Sequence, residues 1–144
     1  MRVMRIAQVP PPTVPYTATI KEAIPKMEMD KGCALAVVKG KRLAGTLSKD
    51  DVLRRVIAND LDPDTTTVGE VMTWPSLTVT TDTDAQEALS LMFSNHQCYL
   101  PVVDLEGSIK GWLAICHLFQ NNLEDLNRQL DSIEAYLSVD GPGG

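Results

Sequence analysis

Ser48-Lys49-Asp50-Asp51 sets a hydroxyl just ahead of two adjacent carboxylates. Neighbouring residues on a helix point about 100° apart, so Asp50 and Asp51 do not make an acid/base dyad by themselves. The same holds for Glu124-Asp125. Ser48-x-x-Asp51 instead matches a capping box, in which the serine caps the helix backbone and the acid three residues on reaches back. Neither His96 nor His117 has a serine or cysteine partner in a nucleophile pattern. No Gly-rich phosphate loop occurs. Cys33, Cys98 and Cys116 form no CxxC and no metal-ligand spacing, so a metal site is not expected. Enzyme activity is not expected either.

The positions of these residues follow from an internal repeat. Thr19-Ile20-Lys21-Glu22-Ala23 with Met27 recurs as Asp84-Ala85-Gln86-Glu87-Ala88 with Met92, 65 positions later. Cys33-Ala34-Leu35-Ala36-Val37-Val38 then matches Cys98-Tyr99-Leu100-Pro101-Val102-Val103. After one inserted residue, Gly45-Thr46-Leu47 falls on Gly111-Trp112-Leu113. Such a self-match means two copies of one structural unit. Each copy is about 60 residues, near the size at which a lone core is marginal, so a shared core is expected. Cys33 and Cys98 are equivalent, and a pseudo-two-fold axis could bring them together, although two small buried thiols is the simpler expectation.

Residues 19–30 and 84–95 carry Ile20, Ala23, Ile24, Met27 and Ala85, Ala88, Leu89, Met92 at amphipathic-helix spacing. Thr19 and Asp84 suit the N-caps, and Pro25 predicts a kink or a late start. Thr13-Val14-Pro15 and Thr78-Val79-Thr80 read as short extended pieces, Ala34–Val38 and Tyr99–Val103 as buried strands. Arg42–Leu47 and Ile109–Leu113 return as second strands, and helices follow over 49–59 and from 115 onward. The fold class is α/β: two β-α-β-β-α repeats packed with pseudo-two-fold symmetry, plus a long C-terminal helix. The expected division is a first repeat with the linker start over 1–64, a second over 65–122, and an amphipathic helix with a frayed tail over 123–144. Phe119, Leu123, Leu126, Leu130, Ile133 and Leu137 alternate steps of four and three, a heptad stripe that seeks a partner helix or the protein's own surface.

With 44% hydrophobic and 5% aromatic residues, the core should be aliphatic. No apolar run approaches the ~18 residues needed to cross a membrane. The basic start leads into Pro10-Pro11-Pro12 and not into an apolar signal core, so a soluble cytoplasmic protein is expected. The net charge of −6 argues against nucleic acid and acidic membranes. Its distribution is uneven. Residues 1–59 hold eleven of the thirteen Lys and Arg and only five acids, whereas the remainder holds fourteen acids. Either the halves attract each other, or the basic half serves an anionic ligand.

The chain resembles the CBS-domain pair, the regulatory module named after cystathionine beta-synthase. The resemblance rests on Val68-Gly69-Glu70-Val71-Met72-Thr73, Ala85-x-x-Ala88-x-x-x-Met92 and Leu100-Pro101-Val102-Val103-Asp104-x-x-Gly107-x-x-x-Gly111. In the first copy it rests on Thr19-Ile20-x-x-Ala23, Ala34-Leu35-x-Val37-Val38 and Gly45-Thr46-Leu47-Ser48-x-x-Asp51. It implies two pseudo-symmetric clefts that commonly hold AMP, ADP, ATP or S-adenosylmethionine. Under it, Ser48 sits at a helix start that favours phosphate, and Asp51 accepts from both ribose hydroxyls. The adenine would be lined by Cys33, Ala34 and Thr46 from one copy and by Ser76, Leu77, Cys98 and Tyr99 from the other. Lys49, Arg54 and Arg55 would meet the phosphates; alternatively, Arg54 pairs along its own helix with Asp50 or Asp51.

The second copy departs from the family pattern. Ala114 replaces the hydroxyl and His117 the carboxylate, and Trp112 adds bulk beside the cleft unless it stacks on a base. One nucleotide site of the usual kind is therefore expected. The resemblance implies a stand-alone, non-catalytic module that senses an adenosyl ligand and controls an unidentified client protein. A homodimer is expected, joined by the packed helices of the pair, by the 119–137 stripe, or by both. The alternative is a structural dimerisation module with vestigial clefts.

Overall fold

The computed structural model describes residues 1–30 and 32–139, with side chains as far as 135. Thr13–Pro15 (β1) runs parallel to Ala34–Lys39 (β2), which pairs antiparallel with Arg42–Ser48 (β3). Val79–Thr80 (β4), Tyr99–Val103 (β5) and Ile109–Ala114 (β6) repeat that topology. Even the register shifts correspond, at Val37/Val38 and Val102/Val103. Gly40 (φ 66°) and Gly107 (φ 85°) take the left-handed conformation in the two hairpin turns, where a Cβ would be strained.

Helices Ile20–Asp30 (α1) and Ala85–Ser94 (α4) begin at the expected caps. The Thr19 hydroxyl accepts from the Glu22 amide at 3.2 Å, and the Asp84 carboxylate from the Gln86 amide at 3.0 Å. They bury Ile20, Ala23, Met27 and Ala88, Met92 against their sheets. Pro25 lies within α1, on its exposed face, so the helix makes no late start. The expected helix over 49–59 opens as Lys49–Asp51 (α2) and widens into a π turn over Val52–Ile57. Its i−5 bonds run from the Ala58 amide to Leu53 and from the Leu61 amide to Val56, and Val56 is fully buried.

Two aliphatic cores form, each completed by a segment that the sequence places in the other copy. Val3, ten residues ahead of β1 in the chain, packs with Val79, Met92 and Leu100 of the second repeat. Val68 and Val71, in the short helix Val68–Val71 (α3), pack with Val14, Leu35 and Leu47 of the first. The backbone repeats the exchange. Thr46 and Thr73 exchange amide–carbonyl bonds of 3.1 and 2.8 Å, as Gln8 and Trp112 do at 2.8 and 3.1 Å. The two hairpins also meet, through Leu43 to Gly107 and Ile109 to Lys41, both 3.0 Å. Burying one repeat's entry on the other enlarges cores that would be marginal alone.

A third cluster, Ala34, Ala36 and Trp112 with Leu43, Tyr99 and Ile109, lies between the sheets. Two alanines leave room for the stacked Tyr99 and Trp112 rings, 5.1 Å apart and 8° from parallel. The last helix, Ile115–Val139 (α5), is 25 residues long. Its base is fixed by buried Leu118 and by Phe119 against Phe93 at 6.3 Å. Beyond, Leu123, Leu126, Leu130 and Ile133 are 53–60% exposed, so they do not pack on the protein's own surface. The side chain of Leu137 and the glycine tail lie outside the described residues. No helix among the described residues is long and apolar enough to cross a membrane.

Candidate functional site

The β3–α2 junction is where the hydroxyl and carboxylate motif becomes geometry. Ser48 is extended (φ −103°, ψ 163°), and its hydroxyl accepts from the Asp51 amide at 3.0 Å. One Asp51 carboxylate oxygen, Oδ2, accepts from the Ser48 amide at 2.9 Å, which completes the capping box. The other, Oδ1, accepts from the Thr73 hydroxyl at 3.0 Å, and Arg55 stands 3.8 Å away. Asp51 is 6% exposed. A carboxylate offers about four acceptor positions, so one remains on each oxygen.

This corner opens into a cavity of about 500 Å³. Ser48, Lys49, Asp51 and Arg54 form its first-repeat wall, with Thr73 beside them. Asn95, His96, Gln97, Cys98 and Tyr99 close it from the second repeat, and Cys33 faces Cys98 at an Sγ–Sγ separation of 4.0 Å. Both cysteines are exposed, against the expectation of buried thiols, because each sits ahead of its strand at the cleft mouth. Partial burial, together with Cys98, pushes the Cys33 thiol pKa up, while Lys49 acts the other way. Burial also pushes the Tyr99 phenol up, and Asp51 adds to that, so it is a neutral donor at physiological pH.

Not every residue expected at the site reaches it. Ala34 is buried between the sheets, opposite Trp112, and Leu77 packs on the second core. Thr46 is 1% exposed, with Ser76 donating to its hydroxyl at 3.4 Å, and neither lines the cavity. Arg55 is drawn away from it by the carbonyls of Val71 and Met72, each 2.9 Å from its guanidinium. Arg54 lines the cavity, but its guanidinium lies on Asp50, which raises its already high pKa. Lys49 lines the cavity too, with Glu28 3.7 Å away. Asn95, His96 and Gln97 line the cavity without any motif of their own. Their one signal in the sequence is that they lie between α4 and Cys98, whose counterpart Cys33 faces it across the pseudo-axis.

The pseudo-axis maps this cavity onto a second of about 320 Å³. There Ala114 and His117 stand where Ser48 and Asp51 stand in the first, and Gln8 takes the place of Thr73. Gln8 donates to Asp30 at 2.7 Å. The His117 Nδ1 atom is buried without a hydrogen-bond partner. Trp112, expected as bulk beside this cleft, lies mainly under it, stacked on Tyr99. Among the described residues no cluster of three or more His, Cys, Asp or Glu is arranged to hold a metal ion.

The CBS-domain family model matches residues 3–58 and 68–121. This chain belongs to the CBS-domain family. The match opens at Val3 and again at Val68, the two buried valines of the exchanged entry segments. Among curated relatives, the CBS domain-containing protein CBSCBSPB1 of Arabidopsis thaliana is 34% identical over 103 residues, 71% of this chain. The chain spans only 19% of that relative's length. A protein with CBS domains from Burkholderia ambifaria superposes with a TM-score of 0.76 at 27% identity, covering 87% of this chain and 96% of the other. A CBS domain protein from Pyrobaculum aerophilum, solved in complex with AMP, gives 0.72 at 26% identity, covering 81% and 89%.

Proposed function

We propose that this CBS pair is a regulatory module that takes an adenosyl ligand (AMP, ADP, ATP or S-adenosylmethionine) in its larger cleft and relays occupancy to a partner protein. The observation that carries this reading is the Ser48–Asp51 corner, with spare carboxylate acceptors beside a cavity of about 500 Å³ walled by both repeats. That volume suits a nucleotide-sized ligand. The Pyrobaculum relative crystallised with AMP supports the same class of ligand. Two acceptor positions on Asp51 suit a ribose diol, and Lys49, with Arg54 once it leaves Asp50, suits phosphate. Tyr99 offers a flat ring for the base.

A ligand bridging the repeats shifts the molecule toward whichever packing it binds best. In this reading α5 carries that change outward. Its exposed stripe pairs with the same stripe of a second copy, giving a homodimer, because apolar side chains at heptad spacing bury one another across a helix pair. The smaller cleft has His117 where the larger has Asp51, and its Asp30 carboxylate already accepts from Gln8, so it takes no ribose in this way.

A purely structural dimerisation module is the second reading. The observation favouring it is that both Asp51 oxygens already have partners inside the fold. A thermal-shift panel separates the two. A binding ligand at a hundred times its dissociation constant stabilises by about 2.7 kcal/mol and raises the melting temperature by several degrees. No shift with any adenosyl ligand supports the structural reading.

A further inference from the structure

Cys33 and Cys98 have features that the ligand reading does not use. Each immediately precedes the central strand of its repeat, and the two are related by the pseudo-axis. Each is held by its own carbonyl, Cys33 accepting from the Lys49 amide at 2.9 Å and Cys98 from the Ile115 amide at 2.8 Å. Lys49 and Ile115 are the first residues of α2 and α5, so both cysteines are tied to helix starts at the clefts. Their sulfurs are 4.0 Å apart, so a bond of ~2.05 Å needs them to close by about 2 Å. Both line both cavities, so an oxidant reaches them from either side. Cys116 lies in the wall of the smaller cavity only.

We propose that Cys33 and Cys98 are a site of oxidative modification, a dithiol that hydrogen peroxide or a related two-electron oxidant converts into a disulfide bridging the two repeats. One cysteine, as thiolate, attacks a peroxide oxygen and breaks the O–O bond, giving a sulfenic acid and hydroxide. The other thiolate attacks that sulfur, forms the S–S bond and expels the sulfenic oxygen as hydroxide. The hydroxides take up the two thiol protons. In sum two thiols and one peroxide give one disulfide and two waters, and an added dithiol reverses the step. The raised thiol pKa of Cys33 leaves little of it as thiolate at neutral pH, so attack by its sulfur is slow.

The bond would lie in the wall shared by the clefts and would fix the separation of the repeats at that point. It closes a loop of about 65 residues, for which cross-linking theory and the size of the chain give a rise in melting temperature on the order of 10–15 °C. The site does not depend on nucleotide binding.

The test uses the full chain, reduced and freed of reductant, then treated with a small excess of hydrogen peroxide. The expected product is a monomer-mass species lighter by two hydrogens, with one titratable thiol left of three. Tryptic mapping joins peptide 32–39 to peptide 56–110. The melting temperature rises and returns on dithiothreitol treatment. Cys116→Ser keeps the cross-link, whereas Cys33→Ser and Cys98→Ser, mild changes at exposed positions, abolish it. The proposal is overturned if peroxide yields only sulfinic or sulfonic acids, only disulfides between chains, or a cross-link through Cys116.

Discussion

The hydroxyl of Thr73 donates to the Asp51 carboxylate at 3.0 Å, so a residue that the chain assigns to the second repeat holds the principal acid of the first. The backbone bridge between Thr73 and Thr46 fixes the donor. The site is therefore assembled by the exchange of entry segments, and its geometry depends on the repeats being docked.

Thr73→Val should reveal the strength of that link. The substitution keeps the shape and removes one hydrogen bond to a nearly buried carboxylate, a loss of about 1.5–3 kcal/mol. Urea unfolding measures it. A change below a few tenths would mean that the Thr73 hydroxyl does not stabilise Asp51.

Gly45 and Gly111 are equivalent in the repeat, but substitution should not be equivalent. A Cβ at Gly45 would lie 2.6 Å from the Thr73 carbonyl oxygen and 2.8 Å from the Met72 sulfur. That backbone oxygen cannot withdraw without breaking the bridge to Thr46. At Gly111 the nearest atoms are the Ala7 Cβ at 3.1 Å and the flexible Met4 sulfur at 3.4 Å. Gly45→Ala should cost about 1–3 kcal/mol, and Gly111→Ala clearly less. Parallel thermal melts decide the order, and equal losses would contradict it.

Much of this architecture was legible because it is local. Ala23 and Met27, like Ala88 and Met92, announce their helix faces by spacing, and Ser48-x-x-Asp51 announces its capping box. What the sequence hid is tertiary. Nothing in Val3-Met4-Arg5 shows that it crosses to the second repeat, since the signal lies in which hydrophobic face is left uncovered. Family analogy puts Ala34 and Leu77 at the ligand, yet the docking of Trp112 and the second core claim them. Arg55 could have turned toward the cavity or toward Val71, and two carbonyl acceptors held by α3 settle where it sits. Lining residues such as His96 carry no pattern of their own. They reach the cavity because the pseudo-axis brings the end of α4 opposite α2.

The α5 stripe predicts a concentration-dependent association. Leu126 and Leu130 are about half exposed in a single chain. In a helix pair they would be buried, and aspartate at both positions would place unpaired charges in the seam. Light scattering should give a dimer for the wild type and a monomer for Leu126→Asp/Leu130→Asp. A dimer unchanged by the double substitution would place the interface elsewhere.

Calorimetric titration with AMP, comparing wild type with Asp51→Asn and His117→Ala, tests the central claim most directly. The Asp51 substitution turns one acceptor oxygen into a donor and removes the charge. It should cost about 1–3 kcal/mol of stability through the lost internal bonds, so circular dichroism must first show the variant folded. The wild type should bind one AMP per chain. Asp51→Asn should bind about ten- to a hundredfold more weakly, and His117→Ala about as well as the wild type. Wild-type affinity in a folded Asp51→Asn, or a loss of binding in His117→Ala alone, would contradict the assignment of the site to the first repeat.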